Sequence, residues 1–320
     1  MRVLRWFLAV LIGFGIALLI GTSAPATETL TPQQIDAMAS QTTVLIAEGL
    51  KKGDLEAKQE WLPGSGVIVA KQGKTYYALT AFHVVRVKGT TYGVRTNDGQ
   101  VHFVSDKNVR VFGKELGKSG EKIDGFDLAL VKFESDRNYP VAVMGNSESL
   151  HSGESTYVSG WPNPEDLSAR RVRVLSDNGK LNLIVDPPSE DGGYSLLYNN
   201  QTRPGMSGGP VFNTQGELIG IHGRGRGTEN NCSPEDDINR SNSCGMQSIH
   251  FIDQATKVGL QLVYAEPPVQ QGLIEQGRKN KARADVINNI YEDFTTEFLP
   301  SGLRDRPSSG CNFLLIPDCD

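Results

Sequence analysis

The stretch Gly205-Met206-Ser207-Gly208-Gly209-Pro210, set between Arg203-Pro204 and the apolar Val211-Phe212, decides how this 320-residue chain is read. A serine in a glycine-rich turn between two extended segments can hold its hydroxyl outward while neighbouring backbone N–H groups point at the same place. That combination suits acyl transfer, a nucleophile beside donors aimed where negative charge develops on a carbonyl oxygen. The glycines permit positive φ and close approach of a substrate. Linkers and plain turns use the same residues, so a general base must be found elsewhere before the turn means catalysis.

Upstream, Tyr77-Ala78-Leu79-Thr80-Ala81-Phe82-His83-Val84-Val85 is a strand-like apolar run that ends on a histidine. Further on, Gly125-Phe126-Asp127-Leu128-Ala129-Leu130-Val131-Lys132-Phe133 places an aspartate at the entrance of an apolar strand. A carboxylate there is buried only at the cost of finding a hydrogen-bonding partner, and an imidazole is the obvious one. Taken singly, His83 could be a core histidine satisfied by backbone and Asp127 a turn cap. His102, His151 and His250 lack a partner motif and read as surface or packing residues. No His/Cys/Asp cluster has the spacing of a transition-metal site, so no metal and no cofactor is expected.

The order His83, Asp127, Ser207, at intervals of 44 and 80 residues, and the blocks around them resemble the trypsin-like (chymotrypsin-fold) serine peptidases of bacterial type. A further match is Gly64-Ser65-Gly66-Val67-Ile68-Val69, and the resemblance covers roughly residues 41–263. It implies an all-β fold of two packed six-stranded antiparallel barrels with the three residues at their junction, His83 and Asp127 from the first and Ser207 from the second. In that scheme His83 takes the Ser207 proton and returns it to the leaving amine, while Asp127 holds the imidazole. The backbone N–H groups of Gly205 and Ser207 would form the oxyanion hole. The composition agrees, with 35 Gly and 16 Pro punctuating short apolar runs at Gly64–Ala70, Tyr76–Ala81, Leu128–Phe133, Ser155–Gly160 and Leu218–His222. No long helical periodicity interrupts them before about residue 250.

The same resemblance extends to the pocket that selects the residue before the scissile bond. Glutamyl endopeptidases carry a Gly-Ile-His segment in one pocket wall and a threonine five residues before the serine. This chain has Gly220-Ile221-His222-Gly223 and Thr202, with Gln201 where a basic-selective aspartate would stand. Gln201, Thr202, His222 and Gly223 are therefore the expected substrate-binding residues, and the preference expected is acidic. Arg203, Arg224 and Arg226 lie close by in sequence and would form a basic rim. Met206 occupies the place of the aspartate that many secreted members pair with a newly cut N-terminus, so no such activation switch is expected.

Arg2 and Arg5, the apolar stretch Trp6 to Gly21, and Thr22-Ser23-Ala24-Pro25-Ala26 form a signal peptide over residues 1–26, which implies export to periplasm or medium. Contact with a membrane is expected only through that segment if it stays uncleaved. Residues 27–40 read as a lead-in, 41–263 as the peptidase domain, and 264–320 as an extension of unknown role. Ile252 to Leu260 would close the domain as a helix. In the extension, Val286, Ile290, Phe294 and Phe298 recur every four residues as one face of another helix. Four cysteines in an exported chain suggest disulfides, with the local pairing Cys232–Cys244 and Cys311–Cys319 preferred among three connectivities.

With 32 Lys+Arg against 37 Asp+Glu, the balance is acidic, and no nucleic-acid partner is expected. The partner implied is a polypeptide substrate; oligomeric state cannot be read from the chain. Two functions follow from different classes: an exported serine endopeptidase acting through an acyl-enzyme, or a trypsin-fold binding or scaffold protein without turnover.

Overall fold

The computed structural model describes residues 29–51, 63–116, 122–165, 169–227, 232–233, 236–264, 275 and 277–279. The expected signal segment, Cys311, Cys319 and the apolar positions of the expected C-terminal helix lie outside them.

The chain enters through helix α1 (Pro32–Thr42), which the sequence reading passed over as a lead-in. Its start is nonetheless written locally: Pro32 stands in the first turn, Thr31 caps Gln34 N–H, and the Gln34 side chain returns a bond to Thr31 N–H. The helix buries Ile35, Met38 and Ala39 and runs straight into the first strand, so the boundary at residue 40 falls inside an element.

Seven strands among the described residues make the first sheet: β1 (Thr43–Glu48), β2 (Gly64–Gln72), β3 (Thr75–Thr80), β4 (Thr91–Arg95), β5 (Val101–Ser105), β6 (Val109–Leu116) and β7 (Lys122–Glu134). They lie in the order β5-β4-β1-β2-β3-β7-β6, every neighbour antiparallel. The second sheet holds β8 (Val143–Met144), β9 (Ser155–Gly160), β10 (Val174–Ile184), β11 (Leu196–Tyr198), β12 (Pro210–Phe212), β13 (Leu218–Arg224), β14 (Ser243–Gln247) and β15 (Val263–Tyr264). Because β12 pairs with both β9 and β13, the run β12-β9-β10-β11-β14-β13 closes on itself as a six-stranded barrel. The two-lobed β architecture is thus the one anticipated, with the first lobe a curled sheet rather than a ring closed by backbone pairing. Strands β8 and β15 attach to this barrel in parallel. A short helix α2 (Asp236–Ser241) precedes β14, and α3 (Ser248–Lys257) follows it, a few residues ahead of the closing helix expected from the sequence.

Side-chain alternation explains why the predicted strands read as unbroken apolar runs. Along β2, Ile68 points into the first lobe with Val44, Ile46, Tyr76 and Tyr92, whereas Val67 and Val69 face the layer between lobes with Met144, Leu197, Leu218 and Ile221. Strand β7 repeats this: Ala129 and Val131 turn inward, Leu128 and Leu130 turn to the second lobe. A strand covered on both faces has no polar side to alternate with. The seam between lobes is therefore apolar core, with the motif residues at its rim.

Candidate active site

His83 sits in a single 3-10 turn, Phe82–Val84, that ends β3. Asp127 lies well inside β7 rather than at its entrance, and it is wholly buried. The two are joined twice: the His83 backbone N–H donates to Asp127 Oδ1 at 2.9 Å, and His83 Nδ1 meets Asp127 Oδ2 at 2.7 Å. A third donor, the Tyr194 hydroxyl, reaches Oδ2 at 2.5 Å. Burial alone would raise the Asp127 carboxyl, but the His83 ring and these hydrogen bonds outweigh it and hold the group below the usual carboxylate range. An ionised carboxylate only accepts, so Nδ1 carries the proton and Nε2 is left with a lone pair. The His83 ring is partly exposed, and among the described residues its Nε2 meets no hydrogen-bond partner.

The Ser207 turn is fastened to both lobes. Ser65 N–H donates to the Ser207 carbonyl at 2.7 Å, Gly208 N–H to the His222 carbonyl at 2.7 Å, and His222 N–H to the Gly209 carbonyl at 2.8 Å. Glycine is required at two places in it. Gly205 has φ +96°, and Gly208 has φ +84° with room for no Cβ, which would fall 2.2 Å from the Ser65 carbonyl and the Thr80 hydroxyl. Among the described residues the N–H groups of Gly205 and Ser207 meet no acceptor, while that of Met206 between them donates to the Arg203 carbonyl at 3.1 Å. Ser207 Oγ donates to the Gly223 carbonyl at 3.0 Å and makes no hydrogen bond with His83.

The expected substrate-binding residues are brought to the same end of the second barrel, but Thr202, His222 and the Gly223 carbonyl already have polar partners. Thr202 Oγ1 lies 2.8 Å from Ser243 Oγ, and Gln201 is exposed. His222 is buried in β13, with Nδ1 2.8 Å from the Tyr198 hydroxyl. Burial, reinforced by the nearby His83, pushes its imidazole down to about 3, against the pull of a Cys244 backbone hydrogen bond. The arginines do not make a free basic rim: Arg203 pairs with Glu165 at 3.2 Å, Arg224 with Asp191 at 2.8 Å, and Arg226 donates to the Asn199 carbonyl at 2.6 Å. These partners are distant in sequence, which is why adjacency of the arginines misled. Cys232 and Cys244 form the anticipated disulfide, tying the loop after β13 to β14. Of the other histidines, His102 packs tilted against Phe133 and His250 stacks on Phe126, while His151 is exposed beside Glu154.

Residues 64–221 match the family model of the trypsin-like peptidase domain. HtrA-like serine proteases of Staphylococcus aureus, from the bovine strain RF122 / ET3-1 and strain USA300, are each 33% identical over 164 residues, which is 49% of this chain and 19% of the relative. Over residues 64–221 the chain is similar to the trypsin-like serine peptidases. It spans about a fifth of the length of the curated relatives it matches. An HtrA-type protease solved with a tripeptide has 17% sequence identity and a TM-score of 0.46, covering 72% of this chain and 64% of that one.

Within this trypsin-like domain, sequence reasoning missed Tyr194, which supplies the third bond to Asp127, and Ser65, whose hydroxyl bonds the Gly205 carbonyl at 2.8 Å. The turn Asp191-Gly192-Gly193 ahead of the apolar Tyr194 to Tyr198 marks a sharp re-entry into the fold, but nothing in it names Asp127. Met206 is buried in the second barrel among Val158, Leu196 and Val211. Its side chain acts there as core, with no charged group to pair.

Proposed function

We propose that this chain is a serine endopeptidase that hydrolyses peptide bonds through an acyl-enzyme, with Ser207 as nucleophile, His83 as general base and Asp127 as the group that orients and supports His83. The observation that carries this reading is the doubly bonded His83–Asp127 pair, which leaves Nε2 as an acceptor beside a serine turn whose Gly205 and Ser207 N–H groups are unengaged. On arrival of a substrate, the Ser207 hydroxyl turns from the Gly223 carbonyl to His83 Nε2 and attacks the scissile carbonyl, whose oxygen takes the two free N–H groups. His83 then hands the proton to the leaving amine, and water repeats the sequence to release the acid. Catalytic hydrogen bonds that tighten only with substrate bound are common in such sites.

The bond from Ser207 to Gly223 also favours a second reading, a trypsin-fold binder held in a non-reactive arrangement. A fluorophosphonate probe separates the two. Labelling of the folded chain at Ser207, abolished in Ser207→Ala, supports the peptidase; absence of labelling in folded protein supports the binder.

Selection of an acidic residue before the scissile bond would fall to Thr202 and His222, with Gln201 and Gly223 lining the approach. An arriving carboxylate must displace Ser243 from Thr202 or share His222 with Tyr198. Peptides differing only at that residue decide the matter: faster cleavage after Glu than after Leu, Phe or Arg, weakened in His222→Ala, is the expected result. Export rests on the N-terminal charged and apolar segment, and it accords with the Cys232–Cys244 bridge, which needs an oxidising compartment. The peptidase domain is taken as residues 41–263, with α1 completing it on the N-terminal side.

A further inference from the structure

Tyr194 belongs to the segment just ahead of β11, in the second lobe, yet its hydroxyl crosses the seam to Asp127 in the first. The ring is fully buried and closely packed. The Arg224 guanidinium lies 4.7 Å from its centroid, and Arg224 is itself bonded to Asp191 Oδ2 at 2.8 Å. Gly223 is so close that a Cβ there would stand 2.2 Å from Tyr194 Cε1. The segment is stitched to β7 by backbone as well: Asp127 N–H donates to the Gly192 carbonyl at 2.9 Å, Gly192 N–H to the Ile123 carbonyl at 2.8 Å, and Ile123 N–H to Asp191 Oδ1 at 2.8 Å.

A buried carboxylate that lacks a donor for an exposed lone pair is free to rotate and carries an unmet desolvation cost. His83 fills one site on each Asp127 oxygen; Tyr194 fills another on Oδ2, the oxygen that also receives the His83 ring proton. We propose that Tyr194 is a positioning residue for the His83–Asp127 pair, a permanent donor that fixes the rotation of the carboxylate and moderates its pull on the imidazole. This inference rests on the endopeptidase reading for its catalytic consequence. The phenol is suited to the task because burial and the adjacent Asp127 charge hold it well above the usual tyrosine range, so it stays protonated and donating wherever the enzyme works. Arg224 and Asp191 would then serve as the brace that keeps the ring facing Asp127.

Tyr194→Phe in the full chain tests this, because it keeps the ring against Gly223 and Arg224 and removes only the hydroxyl. Two readouts are needed, together with a melting curve to establish that the variant is folded. The first is the Nδ1–H proton resonance of His83, which moves downfield when Oδ2 loses its competing donor. The second is acylation of Ser207 by a fluorophosphonate, which slows roughly ten- to a hundredfold, the range for losing a hydrogen bond to a charged group. With a peptide substrate, kcat takes that loss while KM is little changed. A His83 resonance unmoved from wild type overturns the proposal, whatever the rate does. If the resonance shifts but the wild-type chain never acylates, the endopeptidase reading fails instead, and Tyr194 still stands as the anchor of the pair.

Discussion

The hydroxyl of Ser65 donates to the carbonyl of Gly205 at 2.8 Å, so a strand of the first lobe holds the turn that carries Ser207 in the second. The same oxygen accepts the Trp161 N–H at 2.8 Å, and the Ser65 backbone N–H reaches the Ser207 carbonyl at 2.7 Å. The Ser207 turn is therefore held from the first lobe as well as from its own barrel.

Replacing Ser65 by Ala leaves the buried Gly205 carbonyl and Trp161 N–H without a partner. A destabilisation of about 1–3 kcal/mol is expected from denaturant unfolding. Labelling of Ser207, measured well below the melting temperature of the variant, should also slow, because one face of the Gly205 peptide loses its support.

Removing the Ser207 hydroxyl should separate chemistry from folding. Ser207→Ala is expected to abolish turnover, a loss of about 10⁶ in kcat where serine nucleophiles of this kind have been truncated, while the melting temperature stays within a few degrees. Asp127→Asn should cost about 10⁴ in kcat by holding His83 in the wrong tautomer. Peptide hydrolysis and calorimetry on both variants check the split.

Acid should weaken the fold through His222. Its imidazole titrates near 6.5 when unfolded and is pushed down to about 3 in the folded chain, so the unfolded state binds more protons between those values. Stability from this group is complete above about pH 6.5 and is lost as the pH falls towards about 3. His102 and His250, lowered by burial as well, act in the same direction. Melting temperatures followed from pH 7 to pH 4 should fall less steeply in His222→Gln than in wild type.

Reduction of Cys232–Cys244 opens a loop of sequence separation 12. The loss expected from chain entropy is about 3 kcal/mol. A lower melting temperature in reductant, matched by a Cys232→Ala, Cys244→Ala double variant in the absence of reductant, is the outcome that checks it.

What could be read in the sequence is what chemistry demands at fixed positions. Ser207 stands among glycines, and His83 and Asp127 on apolar strands, so those blocks announce themselves, and the family resemblance they carry implies the two-lobed fold. Tyr194 could not be read in this way, because its role arises from a contact with a residue 67 positions away. The arginines near the pocket looked like a basic rim for the same reason: Glu165 and Asp191, which neutralise two of them, come from other loops. Helix α1 was passed over because Gln, Ala and Ser give it a weak apolar stripe, although Thr31-Pro32-Gln33-Gln34 carried its start signal. Curling of the first sheet without closure depends on which strands meet edge to edge, and short apolar runs carry no mark of that.

The barrel formed by β12-β9-β10-β11-β14-β13 has no terminal strand from which to unzip, whereas the first sheet ends at β5 and β6 among the described residues. Amide protons in the ring can reach solvent only when the whole lobe comes apart, while those along the two outer strands can escape by fraying one at a time. Deuterium uptake should accordingly begin along β5 and β6 and arrive last around β12, the strand after Ser207.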